Sequence, residues 1–202
     1  MKPLFGAALW IPPLFLRWSA PPADVLRHIA QRDGDAPLSE HPRDRLVDGA
    51  EELPRYWAVN RHEAVIGSGA EAFEQASAAL QELDCLQLEW LSATEEAGAM
   101  AICSRQFGFV WLVNVNRMLA RRCLERSSSV SWGTTVRHVL AGEERLDVLW
   151  EPQTGDVVFR VLSFSRPRHV FSLATYPYVL MQQRRFARDA ARVMRSQCGA
   201  TE

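Results

Sequence analysis

From residue 57 onward the apolar positions follow two rhythms. Glu63–Gly67 reads as a short strand, and Phe73, Ala76, Leu80 and Leu83 then recur at helical spacing, so one face of a helix is buried. Ser68 precedes that helix and Glu71 stands three residues later, the arrangement of a capping box. Strand-like runs follow at 86–91, 99–106, 109–118, 130–140, 143–150 and 156–164. Turn residues at Gly98, Gly108, Ala141-Gly142 and Pro152–Gly155 separate several of them. The stretch 119–129 shows no period and is expected as a loop. No crossover helix fits between the runs, so they should pair as antiparallel neighbours. A short helical piece at 168–175 precedes a long final helix, whose first turn suits Pro177. On that helix Val179, Gln183, Phe186, Ala190 and Val193 project within about 40° of one line, flanked by Ala187 and Met194. Arg184, Arg185, Arg188, Arg192 and Arg195 project on the other side.

The order strand, helix, six strands, long helix predicts an α+β fold. A curved antiparallel sheet of six to seven strands wraps around the C-terminal helix, with an N-terminal extension in front. As architecture this resembles the helix-grip fold of the START and birch-pollen-allergen superfamily. Residues 1–56 are expected as the extension and 57–198 as a single domain. Residues 3–16 are apolar but too short to span a bilayer, and Pro12-Pro13 interrupts them. No small-residue cleavage pattern follows, so neither a signal peptide nor a membrane span is expected. The apolar arm packs on the domain or on a partner, which makes it the expected contact for a homo-oligomer. A short helix is expected near Asp24–Arg32, and residues 33–55 are rich in charge and proline, as a surface connection would be.

Composition narrows the classes. The 202 residues carry a net charge of −1, which does not suit a generally basic nucleic-acid binder. Cys85, Cys103, Cys123 and Cys198 form no C-x-x-C and have no paired histidine spacing. Reduced thiols in a cytoplasmic protein are expected, with no metal and no cofactor. Gly67-Ser-Gly69-Ala-Glu-Ala72 matches a dinucleotide fingerprint on paper, with Glu89 twenty residues beyond Gly69. That motif needs a βαβ unit, and six strands without a crossover argue for a plain capped turn.

Three blocks resemble an uncharacterised protein family, UPF0548, a domain of unknown function. They are Val65-Ile-Gly-Ser-Gly69 with Phe73-Glu74 and Ala79-Leu80; Trp132-Gly-Thr134, His138 and Gly142-Glu-Glu144; and Ser163-Phe-Ser-Arg-Pro167 with Tyr176-Pro-Tyr178, Gln183 and Phe186-Ala-Arg188. Two departures stand out: Trp132 replaces the family's usual tyrosine and Arg137 its usual glycine. The resemblance implies a helix-grip-like fold and no particular reaction.

His138, Glu143 and Glu144 flank an expected hairpin turn. A three-residue loop puts His138 and Glu144 on one side with Leu146, Val148 and Trp150, and a two-residue loop separates them. If adjacent and inward, the carboxylate would raise the histidine pKa and form an acid–base pair. Arg166, His169, Tyr176 and Tyr178 lie where the last strand meets the last helix, near one end of a helix-grip cavity. Gln183 interrupts the apolar stripe, so its amide needs a partner.

Three functions remain open. The leading one is a binding module holding a hydrophobic or lipid-like small molecule between sheet and helix. His138, Glu144, Tyr178 and Gln183 would orient it, Trp132 and Trp150 would line it, and Arg166 and Tyr176 would meet its polar end. The second is an enzyme of cyclase, hydratase or hydrolase type, with His138 and Glu144 as catalytic candidates. The third is an interaction protein using the arginine face.

Overall fold

The computed structural model describes residues 15–47 and 53–199. The elements run β1 (Phe15–Arg17), α1 (Ala23–Asp33), β2 (Ala58–Ser68), α2 (Gly69–Gln81), β3 (Leu91–Glu96), β4 (Ala99–Gln106), β5 (Val110–Leu124), β6 (Ser127–Thr134), β7 (Leu140–Trp150), β8 (Asp156–Pro167), α3 (Val170–Ala174) and α4 (Tyr176–Gln197). The eight strands form one antiparallel sheet in the order β2-β8-β7-β6-β5-β4-β3, with β1 added against β5. The sheet curves around α4, as the order of elements predicts. None of the described helices is long and apolar enough to cross a membrane.

The concave face carries Ile66, Val130, Leu146, Val148, Val157, Phe159 and Val161, closed by Phe73, Ala76 and Leu80 of α2 and by Phe186, Ala187, Ala190 and Met194 of α4. The convex face is also covered. Leu26, Ile29 and Ala30 of α1 lie on Ala99, Ala101, Cys103, Val113 and Val115, where small side chains let the helix close in. Farther along, Leu46 and Trp57 cover Leu162 and Phe164.

Several local expectations are corrected. Residues 86–91 do not form a strand. Asp84–Leu86 is a 3-10 turn behind α2 that buries Cys85, Leu86 and Trp90, and pairing begins at Leu91. Residues 119–129 are no loop. They carry β5 and β6 around a two-residue turn, and their apolar period is absent because residues 121–124 stand exposed. The run 130–140 is broken, because β6 stops at Thr134 and β7 starts at Leu140. Ser68 makes no side-chain cap; its hydroxyl donates to the Gly155 carbonyl instead. Gly67 also has a reason unrelated to nucleotides, since a Cβ there would lie 2.9 Å from Ala72 Cβ and 3.1 Å from Cys198 Cβ. On α4 the buried line runs through Phe186, Ala187, Ala190, Ala191 and Met194, with Val179 and Val193 only half-buried. The arginine face is partly engaged. Arg185 and Arg192 pair with Asp189, Arg195 donates to the Val65 carbonyl, and Arg184 and Arg188 are exposed. The apolar arm, apart from its last residues, lies outside the described residues.

Candidate functional site

A cavity of about 180 Å³ opens between the concave sheet and the first half of α4. Strand alternation decides what faces it. Inward positions are Ile102, Ser104 and Gln106 on β4, Leu112, Asn114 and Asn116 on β5, Trp132 and Thr134 on β6, Glu144 on β7, and Ser163 and Ser165 on β8. Val179, Gln182, Gln183 and Phe186 form the roof, and Leu86, Trp90 and Leu91 close one end. The wall is therefore not uniformly oily: aromatic and aliphatic groups alternate with amides and hydroxyls.

The β6–β7 register settles the facing of the two glutamates. Trp132 pairs with Glu144 and Gly133 with Glu143, and residues 135–139 form the connection, longer than either loop considered from sequence. Glu144 points inward and accepts a hydrogen bond from the Trp132 indole. Burial pushes its carboxyl up to about 7, against the smaller opposing effect of that bond. Glu143 points outward, where its carboxylate accepts the Asp44 N–H at 2.7 Å and the Leu46 N–H at 3.0 Å.

His138 sits in the connection and borders the cavity. Its Nδ1 accepts the Leu140 N–H at 2.9 Å, so the neutral ring carries its proton on Nε2. Burial, with Arg168 nearby, pushes the imidazole down to about 3. No hydrogen bond or ion pair joins His138 to Glu144 among the described residues, and the shift is opposite in direction to that of a histidine paired with a carboxylate. The Cys85 thiol is buried and pushed up to about 12, chiefly by desolvation, with the Glu144 charge adding to it. It stays protonated and is no nucleophile.

Among the other residues singled out from sequence, Trp132 and Gln183 line the cavity. The Gln183 amide has the partner it needs, donating to Ser165 Oγ at 2.9 Å. Trp150 does not line it; it stacks on Phe73 with ring centroids 6.0 Å apart. Arg166 faces outward, with its guanidinium 4.5 Å from the Trp57 ring and its Nη2 donating to the Glu40 carbonyl. Tyr176 is half-buried at the start of α4, outside the lining. Tyr178 acts as a clasp: its ring stacks on Phe107 at 4.3 Å and its oxygen accepts the Phe107 N–H at 2.8 Å. His169 caps α3, with Nδ1 accepting the Phe171 N–H.

Sequence reasoning missed Asn114 and Asn116. Asn114 Oδ1 accepts the Val139 N–H at 3.2 Å. Asn116 is 1% exposed, lines the cavity, and its amide nitrogen Nδ2 has no hydrogen-bond partner among the described residues. The signal was present: two asparagines spaced by two within an apolar strand. No group of three or more histidine, cysteine or acidic side chains spaced to hold a metal occurs among the described residues.

Curated relatives align over most of the chain. The UPF0548 protein of Arabidopsis thaliana is 25% identical over 196 residues, covering 88% of this chain and 95% of the relative. That of Dictyostelium discoideum is 29% identical, covering 74% and 77%. Among solved structures, a protein of Thermus thermophilus superposes with a TM-score of 0.51 at 8% identity, covering 70% of this chain and 97% of the other, a likeness of fold alone. Norcoclaurine synthase of Thalictrum flavum gives 0.45 at 13% identity, covering 74% and 100%. The model of one family, described as a domain of unknown function (DUF1990), matches residues 44–193, and the chain belongs to that family.

Proposed function

We propose that this protein binds a small molecule in the space between the sheet and α4. The observation that carries the reading is the cavity of about 180 Å³ beneath Val179–Phe186. Protein interiors close-pack and leave few voids larger than a water, so an opening of this size bordered by Trp90, Trp132 and Phe186 calls for an occupant. A dry engineered cavity of about 150 Å³ holds benzene. The volume therefore suits a one- or two-ring compound or a short chain, and not the full length of a lipid tail. The residues taken as contacts are Trp132, His138, Glu144 and Gln183, with Trp90, Leu112, Asn116 and Phe186 added.

Fluorotryptophan labelling tests it. Trp90 and Trp132 border the cavity, and Trp57 and Trp150 do not. Small ring compounds should shift the fluorine resonances of the first two and leave the others in place. A screen in which no compound moves Trp90 or Trp132 removes the reading.

Glu144 favours a second reading, an acid–base enzyme on the same scaffold. A carboxyl held near 7 beside a cavity has the proton affinity a general acid or base needs. Turnover lost in Glu144→Gln with binding retained would establish it; full turnover in that variant would end it.

A further inference from the structure

We propose that the cavity selects an uncharged ring compound bearing a carbonyl oxygen, and that Asn116 Nδ2 is the donor that anchors this oxygen. The proposal rests on the cavity reading above and names the class of its occupant.

Charge is the first filter. Among the described residues no arginine or lysine lines the cavity. Its ionisable lining residues are His138, Glu143 and Glu144, and Glu143 spends both carboxylate oxygens on backbone N–H groups of the outer segment. An anionic head group would therefore enter a desolvated space with no counter-charge. A cation fares little better. The Glu144 carboxyl already accepts from Trp132, and burial favours its neutral form. His138, also neutral and with its Nδ1 occupied, offers a cation no acceptor. A neutral occupant fits every one of these groups.

Hydrogen-bonding capacity is the second filter. Cross-strand pairing lines up Asn116 with Thr134 and Gly142 with Ser165. Thr134 Oγ1 is engaged by Ser39 Oγ at 2.6 Å and by the Gly142 N–H at 2.9 Å. Ser165 Oγ takes the Gln183 amide. Gln106 donates to Ser104 Oγ at 2.7 Å. Asn114 is tied to Val139. Asn116 Nδ2, on a residue that lines the cavity, is a buried donor with no partner among the described residues. A buried donor without an acceptor costs about 1–3 kcal/mol. A carbonyl oxygen supplies the missing acceptor without bringing charge. Trp90, Trp132, Leu112 and Phe186 offer the apolar surfaces for the attached ring.

Four probes of nearly equal size separate the alternatives: acetophenone, ethylbenzene, benzoate and 1-phenylethylamine. Each is titrated at pH 7 into the full chain while the Trp90 and Trp132 fluorines are followed. Acetophenone should bind best, about ten-fold tighter than ethylbenzene, in line with one hydrogen bond to a buried donor. Asn116→Leu should bring the two within about two-fold while ethylbenzene keeps its affinity. Preference for benzoate or the amine, or a ketone preference that survives Asn116→Leu, overturns the proposal and leaves the cavity reading intact. Silence from all four probes ends the cavity reading and this proposal with it. Should Asn116→Leu fail to fold, the carbonyl stretch of acetophenone bound to the wild-type chain decides. A frequency below that in hexane supports the anchor, and a hexane-like frequency overturns it.

Discussion

Glu143 and Glu144 are adjacent in sequence, yet the strand sends them to opposite faces and to opposite chemistry. Glu143 is an acceptor for two backbone N–H groups. Glu144 is a buried carboxyl raised from an ordinary 4.5 to about 7. Its proton is held in the folded state and released from the unfolded chain across that interval. Below pH 4.5 both states are protonated and the group is neutral to stability. As pH rises toward 7 and beyond, the fold loses stability through this group, on the order of 3 kcal/mol by pH 8. Glu144→Gln removes this slope while its amide oxygen still accepts from Trp132. Urea unfolding at pH 4.5 and pH 8 should show the variant gaining on wild type only at the higher pH; parallel profiles would sink the assignment. His138 acts in the other sense, since a value near 3 in the fold against 6.5 in the unfolded chain makes stability fall as pH drops below 6.5.

At the scale of elements, the Gly142-Glu-Glu144 motif becomes a set of contacts between β7 and its neighbours. A Cβ on Gly142 would stand 1.9 Å from the Phe164 carbonyl oxygen on β8, which backbone cannot yield. A Cβ on Gly133 would meet the flexible end of Leu38 at 3.2 Å. Gly142→Ala is therefore expected to break the β7–β8 pairing and yield insoluble protein, whereas Gly133→Ala should cost no more than about 1 kcal/mol. Soluble, fully stable Gly142→Ala protein would refute the close approach. Glu143 holds the segment around residues 44–46 on the convex face, so Glu143→Ala strands two N–H donors and should destabilise by about 2–4 kcal/mol. Hydrogen exchange at the Asp44 and Leu46 amides would quicken selectively, and unchanged protection there would contradict the tether. Elements with one buried face were legible in sequence: α2, α4 and most strands carry a single clear period. Failures came where both faces are covered, and where neither is, as at residues 121–124. On β5 the apolar set Val113 and Val115 lies under α1, so the polar set Asn114 and Asn116 faces the cavity. Alternation alone cannot say which set is inside. Trp132, His138, Glu144 and Gln183 were legible because each interrupts or follows an apolar run. Trp150, Arg166, Tyr176 and Tyr178 looked alike in sequence but pack elsewhere.

For the whole molecule, the outer layer decides how large a piece of chain can fold. Residues 15–47 contribute a strand against β5, a helix on β3–β5 and a polar tether on β7. Arg145 donates to the Leu46 and Val47 carbonyls and shares Asp147 with Arg160. Asp147 is fully buried, as is the Leu46 side chain beside it on this layer. A chain beginning at Trp57 would keep α2, α4 and the sheet from β2 to β8. It would also expose Ala101, Val113 and Val115 to water and leave Glu143 without its two backbone donors. Apolar burial is worth roughly 25 cal/mol per Å², and marginal domains hold only about 5–15 kcal/mol in total. Losing that much cover together with the tether should take the truncated chain below the threshold for folding. The expected result is aggregation, or a collapsed species without sharp near-ultraviolet circular dichroism. A soluble 57–202 fragment with a cooperative melt near that of the full chain would show instead that the helix-grip core stands alone. The binding tests above could then be repeated on that fragment, since every cavity-lining residue is retained in it.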